Sequence, residues 1–406
     1  MQAIAPAAAD SARETATTTA EELVRRTRAL IPALKARAEA ANAARRLPQD
    51  TVRDLHDAGL FRILQPQRWG GYEMDPGVYF DVQMALAEGC MSTAWVFGVI
   101  GVHNFQLALF DLQAQQDVWG QDSSIRISSS YQPVGKVEKV DGGFRLSGRW
   151  GFSSGCEFCD WVFVGALYWP NGDKGPPDMR TFLVPRKDYR ILDTWKTFGL
   201  QATGSQDIVI DGAFVPEYRT HRAIDGFMRT NPGRVVNDGP LYQLPWAQVF
   251  VRSVSTAAIG ATQGALDAFI DIAGKRISTN TGKATKADPL AMNAIAKTQS
   301  AIDEMKVTLR RNFREMMGRA REGRDFTVQE RVHWRYQSAQ IGRRCADLVD
   351  DLLPLLGGRA IYNDSPIIRY WLDINASRAH IANDPTLIGT TLGGLSVGVE
   401  SQDFFV

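Results

Sequence analysis

Gly148-Arg149-Trp150-Gly151-Phe152-Ser153-Ser154-Gly155 is the stretch on which the reading of this chain turns. A strand pattern at Phe144 and Leu146 runs into an aromatic residue, two hydroxyls and closely placed glycines. Glycine lets a backbone approach a flat ligand, and serine offers a donor without bulk. Gly-Ser clusters also mark ordinary turns. The surroundings decide between these readings.

Around the stretch the apolar residues alternate. Lys136-Val137-Glu138-Lys139-Val140 and Phe144-Arg145-Leu146 flank an Asp141-Gly142-Gly143 turn, and Trp161 to Leu167, Thr181 to Val184 and Asp207 to Phe214 read as further strands. This predicts a compact β domain over 121–220, followed by a Gly- and Pro-bearing loop over 221–245. On the N-terminal side the period is helical. Thr19 and Glu22 have the form of a capping box, Pro48 opens a second helix that stops at Gly59, and Pro76 opens a third that runs to about Gly89. Thr93 to Phe110 is an unusually apolar helix, which completes an α-helical domain over 19–120. From Trp246 the helical period returns and holds over 246–406, where long helices near 290–322 and 328–356 suggest an up-down bundle. Arg310, Arg311, Arg314, Arg319 and Arg321 read as its solvated face.

Composition bounds the function. The 406 residues suffice for two or three subdomains, and 44% hydrophobic with 22% charged residues is the balance of a soluble globular protein. A net charge of +1 gives no electrostatic reason to expect nucleic acid or a membrane surface as partner. Four scattered cysteines are too few for a disulfide framework, which points to a reducing cytoplasm. Residues 1–18, rich in Ala and Thr, read as a disordered leader. Cys156 and Cys159 have redox-motif spacing, but no second pair accompanies them, so two packed thiols are expected and no metal site. The chain shows no nucleotide P-loop, no Gly-x-Gly-x-x-Gly after a strand and no His-Glu-x-x-His.

An α-helical domain, then a β domain, then a helical bundle is a distinctive order, and it resembles the acyl-CoA dehydrogenase superfamily. The resemblance implies an α+β fold with an N-terminal helical domain, a central β-barrel-like domain and a C-terminal four-helix bundle. Within that superfamily the chain is similar to oxygenase components of two-component flavin monooxygenases that hydroxylate para-hydroxyphenylacetate or the phenolic ring of secosteroids. The matching pieces are Arg45-Arg46-Leu47-Pro48, Leu64-Gln65-Pro66, Gly101-Val102-His103-Asn104, Leu107-Ala108-Leu109-Phe110, Arg126-Ile127-Ser128-Ser129-Ser130-Tyr131, Trp150 to Gly155, Ala379-His380 and Ala382-Asn383-Asp384-Pro385.

The resemblance implies reduced FMN or FAD supplied by a separate NAD(P)H-dependent flavin reductase, O2, a small aromatic substrate and a homotetramer. Oxygen would be transferred through a C4a-hydroperoxyflavin. By the same resemblance His103 faces the substrate hydroxyl, although a lone histidine on an apolar helix is more often a core residue. Ser154 points at flavin N5, and His380 lines the pocket. Ser128, Ser129, Ser130, Ser153 and Gly358 meet the cofactor, Trp95 and Trp150 are candidate walls for its rings, and Arg276 reaches a flavin phosphate from an adjacent subunit. No Glu lies between Glu330 and Glu400, where acyl-CoA dehydrogenases of the common type carry their catalytic base. This argues against dehydrogenation, and the retained His103, Ser154 and His380 argue against a non-catalytic flavin-binding protein. Phe158, Leu372 and Asn375 stand where the phenol hydroxylases carry histidine, arginine and histidine. Indole-3-acetate monooxygenases and N- or S-oxygenases of the same fold therefore remain open.

Overall fold

The computed structural model describes residues 18–172, 175–279 and 282–406. The leader expected over 1–18 lies, Thr18 apart, outside them. Five helices come first: α1 (Ala20–Ala44), α2 (Gln49–Asp57), α3 (Pro76–Gly89), α4 (Met91–Leu107) and α5 (Leu112–Trp119). Thr19 caps α1 by accepting from Glu22 N at 3.2 Å, but the Glu22 carboxylate turns to Arg25 and Arg26, so only half of the box forms. Every residue of α4 is buried. A helix apolar all round must be enclosed on all sides, and α4 runs between α3, the long helix α7 (Trp246–Lys275) and the sheet.

The sheet has seven strands: β1 (Ile127–Val140), β2 (Gly143–Ser153), β3 (Trp161–Tyr168), β4 (Asp178–Pro185), β5 (Arg190–Leu192), β6 (Gln206–Pro216) and β7 (Thr220–Arg222), in the order β5-β6-β2-β1-β3-β4-β7. β1 pairs parallel with β3 and the remaining pairs are antiparallel. The quoted stretch is strand as far as Ser153, and the turn comes only at Ser154-Gly155. Gly155 takes φ 67, a left-handed angle, and a Cβ there would stand 2.8 Å from Val96. Glycine is needed at that point for both reasons.

The loop expected over 221–245 contains a short helix, α6 (Ala223–Met228), and two 3-10 turns. The remaining helices are α8 (Pro289–Arg321), α9 (Val328–Ala339), α10 (Ile341–Leu352), α11 (Pro366–Ser377) and α12 (Pro385–Ser396). The single helix expected near 328–356 is therefore α9 and α10, jointed at Gln340 where no proline marks the break. The arginine stripe on α8 is only partly solvated. Arg310 reaches Asp81 on α3 at 2.8 Å and Arg319 pairs with Glu330 on α9, which fastens the bundle to its neighbours. One hydrophobic core joins the N-terminal helices to the bundle, and a second lies inside the β domain around Phe144, Trp150 and Phe182. Among the described residues no helix is long and apolar enough to cross a membrane, and no three His, Cys, Asp or Glu side chains could hold a metal ion.

Candidate active site

Helix α4 carries Trp95, Val99 and His103 four residues apart, so all three project toward the side on which β1 and α7 approach. At the His103 end the imidazole is fully buried, edge-on to Phe163 at 5.5 Å and to Tyr131 at 6.2 Å. Its Nδ1 lies 2.6 Å from Ile127 O. A carbonyl can only accept, so Nδ1 carries the hydrogen and Nε2 presents a lone pair. That Nε2 is buried without a partner. Burial pushes the imidazole down to about 4, and the Ile127 carbonyl opposes this only in part. His103 is therefore a neutral acceptor held in one tautomer.

At the Trp95 end the indole N–H donates to Ser154 Oγ at 3.2 Å, and Ser154 Oγ lies 2.7 Å from Ser205 Oγ. Trp95 also meets His380 edge-on at 5.9 Å. His380 is pushed down to about 4 by burial and then by the nearby Arg335 charge. Its Nδ1 accepts from Ala382 N at 3.1 Å, so its Nε2 carries the hydrogen. Tyr131 and Phe250 link the two ends, with ring centroids 5.1 Å apart and Phe250 6.4 Å from His380. The structure thus brings His103, Trp95, Ser154 and His380 into one cluster.

Other sequence expectations land elsewhere. Trp150 is not a wall of the site. It is fully buried in the β-domain core, where its indole donates to Gly165 O at 2.8 Å and Gln132 O at 3.1 Å. Ser128 and Ser130 pair with Val162 and Val164 of that core, while Ser129 falls on the opposite face with Ile127 and Tyr131, as strand alternation requires. Ser128 Oγ and Ser153 Oγ are both buried without partners. Arg276 donates to Thr285 Oγ1 at 2.8 Å and lies against Gly357, next to Gly358, where a Cβ would meet open space. That group sits at the far end of the 30-residue α7, about 45 Å from Trp246. Cys156 and Cys159 are free, buried thiols, and burial pushes Cys156 up to about 12.

Several residues of the cluster went unassigned in the sequence. Phe152 is 65% exposed at φ 64, edge-on to Trp195 at 5.9 Å. An aromatic ring held outward in a left-handed conformation is costly by about 1–2 kcal/mol, and such outliers gather at binding sites. With Ser154 two residues on, donating its N–H to Phe152 O at 3.0 Å, this surface suits a flat heteroaromatic group. The Tyr131 hydroxyl donates to Gln106 Oε1, Gln106 Nε2 donates to His221 Nδ1 at 3.4 Å, and the Asn231 amide lies 2.5 Å from His221 Nε2. Trp246 stacks on Phe250 at 5.1 Å and keeps a buried, unpartnered indole N–H. Gln106 was findable, one helical turn beyond His103. His221 and Trp246 carry no local signal.

Comparison with known proteins fits this arrangement. The family model described as the acyl-CoA dehydrogenase N-terminal domain matches residues 11–120, and that of the C-terminal domain matches 253–385. The flavin-dependent monooxygenase oxygenase subunit HsaA of Rhodococcus jostii is 38% identical over 382 residues, 93% of this chain and 99% of that one. An FADH(2)-dependent resorcinol hydroxylase, oxygenase component, from a Rhizobium species is 31% identical over 392 residues, 94% of this chain and 95% of its own. The crystal structure of 3-HSA hydroxylase from Rhodococcus sp. RHA1 superposes with a TM-score of 0.90 at 37% identity, over 95% of this chain and 99% of that one. The chain belongs to the flavin-dependent monooxygenases, as an oxygenase component built on the acyl-CoA dehydrogenase fold.

Proposed function

We propose that this oxygenase hydroxylates a phenolic ring, with O2 and reduced FMN or FAD delivered by a separate NAD(P)H-dependent flavin reductase, in the cytoplasm. The observation that carries the reading is the orphaned Nε2 of His103. Leaving a buried lone pair without a donor costs about 1–3 kcal/mol, which a donor arriving with a ligand would recover. A phenol hydroxyl supplies that donor. With its pKa near 4, His103 does not strip the proton from a resting phenol. It accepts the hydrogen bond, shifts electron density into the ring, and takes the proton as the ring loses electrons to the incoming oxygen.

Bound reduced flavin supplies the activated oxygen, and this chain's residues would hold it at the Trp95 end. Phe152 would be the exposed face for its rings, and Ser154 would meet N5. His380, neutral and with Nε2–H available, donates toward the oxygen. Tyr131, Trp246 and Phe250 wall the substrate side and exclude water, which strengthens every polar contact within. Arg276 lies at the end of α7 away from the His103 side. Ile277, Leu290 and Met292, near it in the chain, and Ile361, four residues beyond the Gly357 it lies against, are 53–68% exposed. A second copy covering that apolar rim would bring Arg276 to its flavin phosphate, which supports a homotetramer.

The test supplies chemically reduced FMN or FAD and O2 to the purified protein with a panel of phenols and indoles, and analyses products by mass. A phenol gaining one oxygen is the expected result. Reduced flavin consumed with no phenol hydroxylated overturns the reading, and oxygenation of indole-3-acetate alone replaces it with an indolic one.

A further inference from the structure

The hydroxyl of Ser154 belongs to a chain whose direction can be worked out. Thr203 Oγ1 donates to Leu200 O at 2.8 Å. A hydroxyl has one hydrogen, so at the 2.6 Å contact between Thr203 and Ser205 the donor is Ser205. Ser205 has then spent its hydrogen, and at the 2.7 Å contact with Ser154 the donor is Ser154. Trp95 N–H occupies one of the two lone pairs on Ser154 Oγ. What remains is a single lone pair and no proton.

Reversing the chain would set lone pairs on Thr203 Oγ1 and Leu200 O against each other at 2.8 Å. Leu200 O, a shared terminus, also accepts from Trp195 Nε1 at 2.9 Å and Thr203 N at 3.2 Å, and having no hydrogen it can only accept from Thr203 Oγ1. Ser154, Thr203 and Ser205 are all nearly inaccessible, so water does not scramble the order. Backbone contacts hold the two segments together, with Gly155 N donating to Thr203 O at 2.9 Å.

We propose that Thr203 and Ser205 are positioning residues that fix Ser154 as a pure acceptor, and so make the site select reduced over oxidised flavin. The inference rests on Ser154 meeting N5, as in the proposed function. Reduced flavin carries a hydrogen on N5 and can donate to the free lone pair. Oxidised flavin presents a lone pair there and finds another lone pair facing it. An oxygenase component that takes reduced flavin from a separate protein gains from this, because oxidised flavin is the competing species in solution.

The experiment measures affinity and needs no turnover. The Kd of oxidised FMN is read by flavin fluorescence, and that of reduced FMN by anaerobic titration, on the full chain. The wild type is expected to favour the reduced form. In Ser205→Ala the Ser154 hydroxyl rotates freely and can donate to oxidised N5, so the ratio of the two Kd values should narrow by about tenfold, the worth of one hydrogen bond. Thr203→Val, close in shape, removes the terminus and should narrow it similarly. Ser205→Thr keeps the hydroxyl and should retain the wild-type ratio. Should Ser205→Ala fail to fold, Thr203→Val decides alone. A ratio unchanged in the folded variants overturns the inference. A wild type that binds neither form overturns instead the reading on which it rests.

Discussion

The two ends of α4 are built from the same helix, yet their polar groups are treated in opposite ways. From the Trp95 indole each hydrogen has an acceptor in turn, through Ser154, Ser205 and Thr203 to the Leu200 carbonyl. Around His103 one nitrogen is tied to Ile127 O and the other has nothing. A satisfied network holds a fixed polarity, whereas an orphaned acceptor stores a demand for one specific donor. The difference separates a surface preset for a cofactor from a point that a substrate completes. The sharpest way to break this contrast is at the orphan. His103→Ala should lower hydroxylation by about 10²–10⁴-fold, the range of a lost acid–base group. Flavin affinity should hold, because the Trp95 end is untouched. A fall in flavin affinity as large as the fall in rate would show that the two ends are not separate.

The next effect falls on the frame behind the Trp95 end. Trp150 and Phe152 are two residues apart on β2, but one is a buried pillar and the other an exposed platform. Trp150→Ala should cost about 3–5 kcal/mol of stability in denaturant unfolding, as large buried aromatics do. Phe152→Gly relieves a left-handed angle and should stabilise by about 1 kcal/mol while weakening flavin binding. If Phe152→Gly leaves flavin affinity intact, the platform has no part in the site.

Acid touches both ends at once. His103, His380 and the linked His221 are each held near 4 by burial, against about 6.5 in an unfolded chain. Between those values the unfolded state binds three more protons, so stability present above pH 6.5 is lost as the pH falls toward 4. Asp373 acts oppositely. Buried and accepting from Leu200 N at 2.6 Å, it is raised to about 6, so between 6 and 4 the folded state holds its proton first. The net is two protons, and stability should fall by about 2.7 kcal/mol per pH unit from pH 6 toward 4. Urea unfolding across that range checks the slope, and a flat profile would show that these imidazoles are charged in the folded chain.

Much of this was legible in residue order. The change of period near Ile125 and again at Trp246 marks the three-part architecture, because a strand repeats every two residues and a helix every 3.6. His103, Ser154 and His380 could be named because they stand in short stretches that resemble a known family. Trp150 could not be placed correctly. Two aromatics at alternate positions look alike in sequence, and the register shift between Trp150 and Ser153 against β6 breaks the simple in-out alternation that would have sorted them. Ser205 and Thr203 lie some fifty residues from Ser154, and nothing local shows that a 3-10 turn at Gln201–Thr203 folds back onto it. Hydrogen-bond direction is a property of a closed chain, and it exists only once the chain has folded.

Between the two ends stands Tyr131, and it offers the smallest test of their separation. Its ring touches the rings of His103, Trp246 and Phe250, while its hydroxyl points away to Gln106 and, through it, to His221. Ring and hydroxyl therefore do different things. Tyr131→Phe keeps the wall and removes only the hydrogen on Gln106 Oε1, so it should cost about 1 kcal/mol of stability. Substrate KM should rise a few-fold at most, because the ring keeps its place, and kcat should hold because His103 keeps its tautomer. Tyr131→Ala removes the wall itself, admits water between the two ends, and should raise peroxide release per oxygen consumed. If Tyr131→Phe lowers kcat as strongly as His103→Ala, the hydroxyl has a role at the reacting ring that this geometry does not give it.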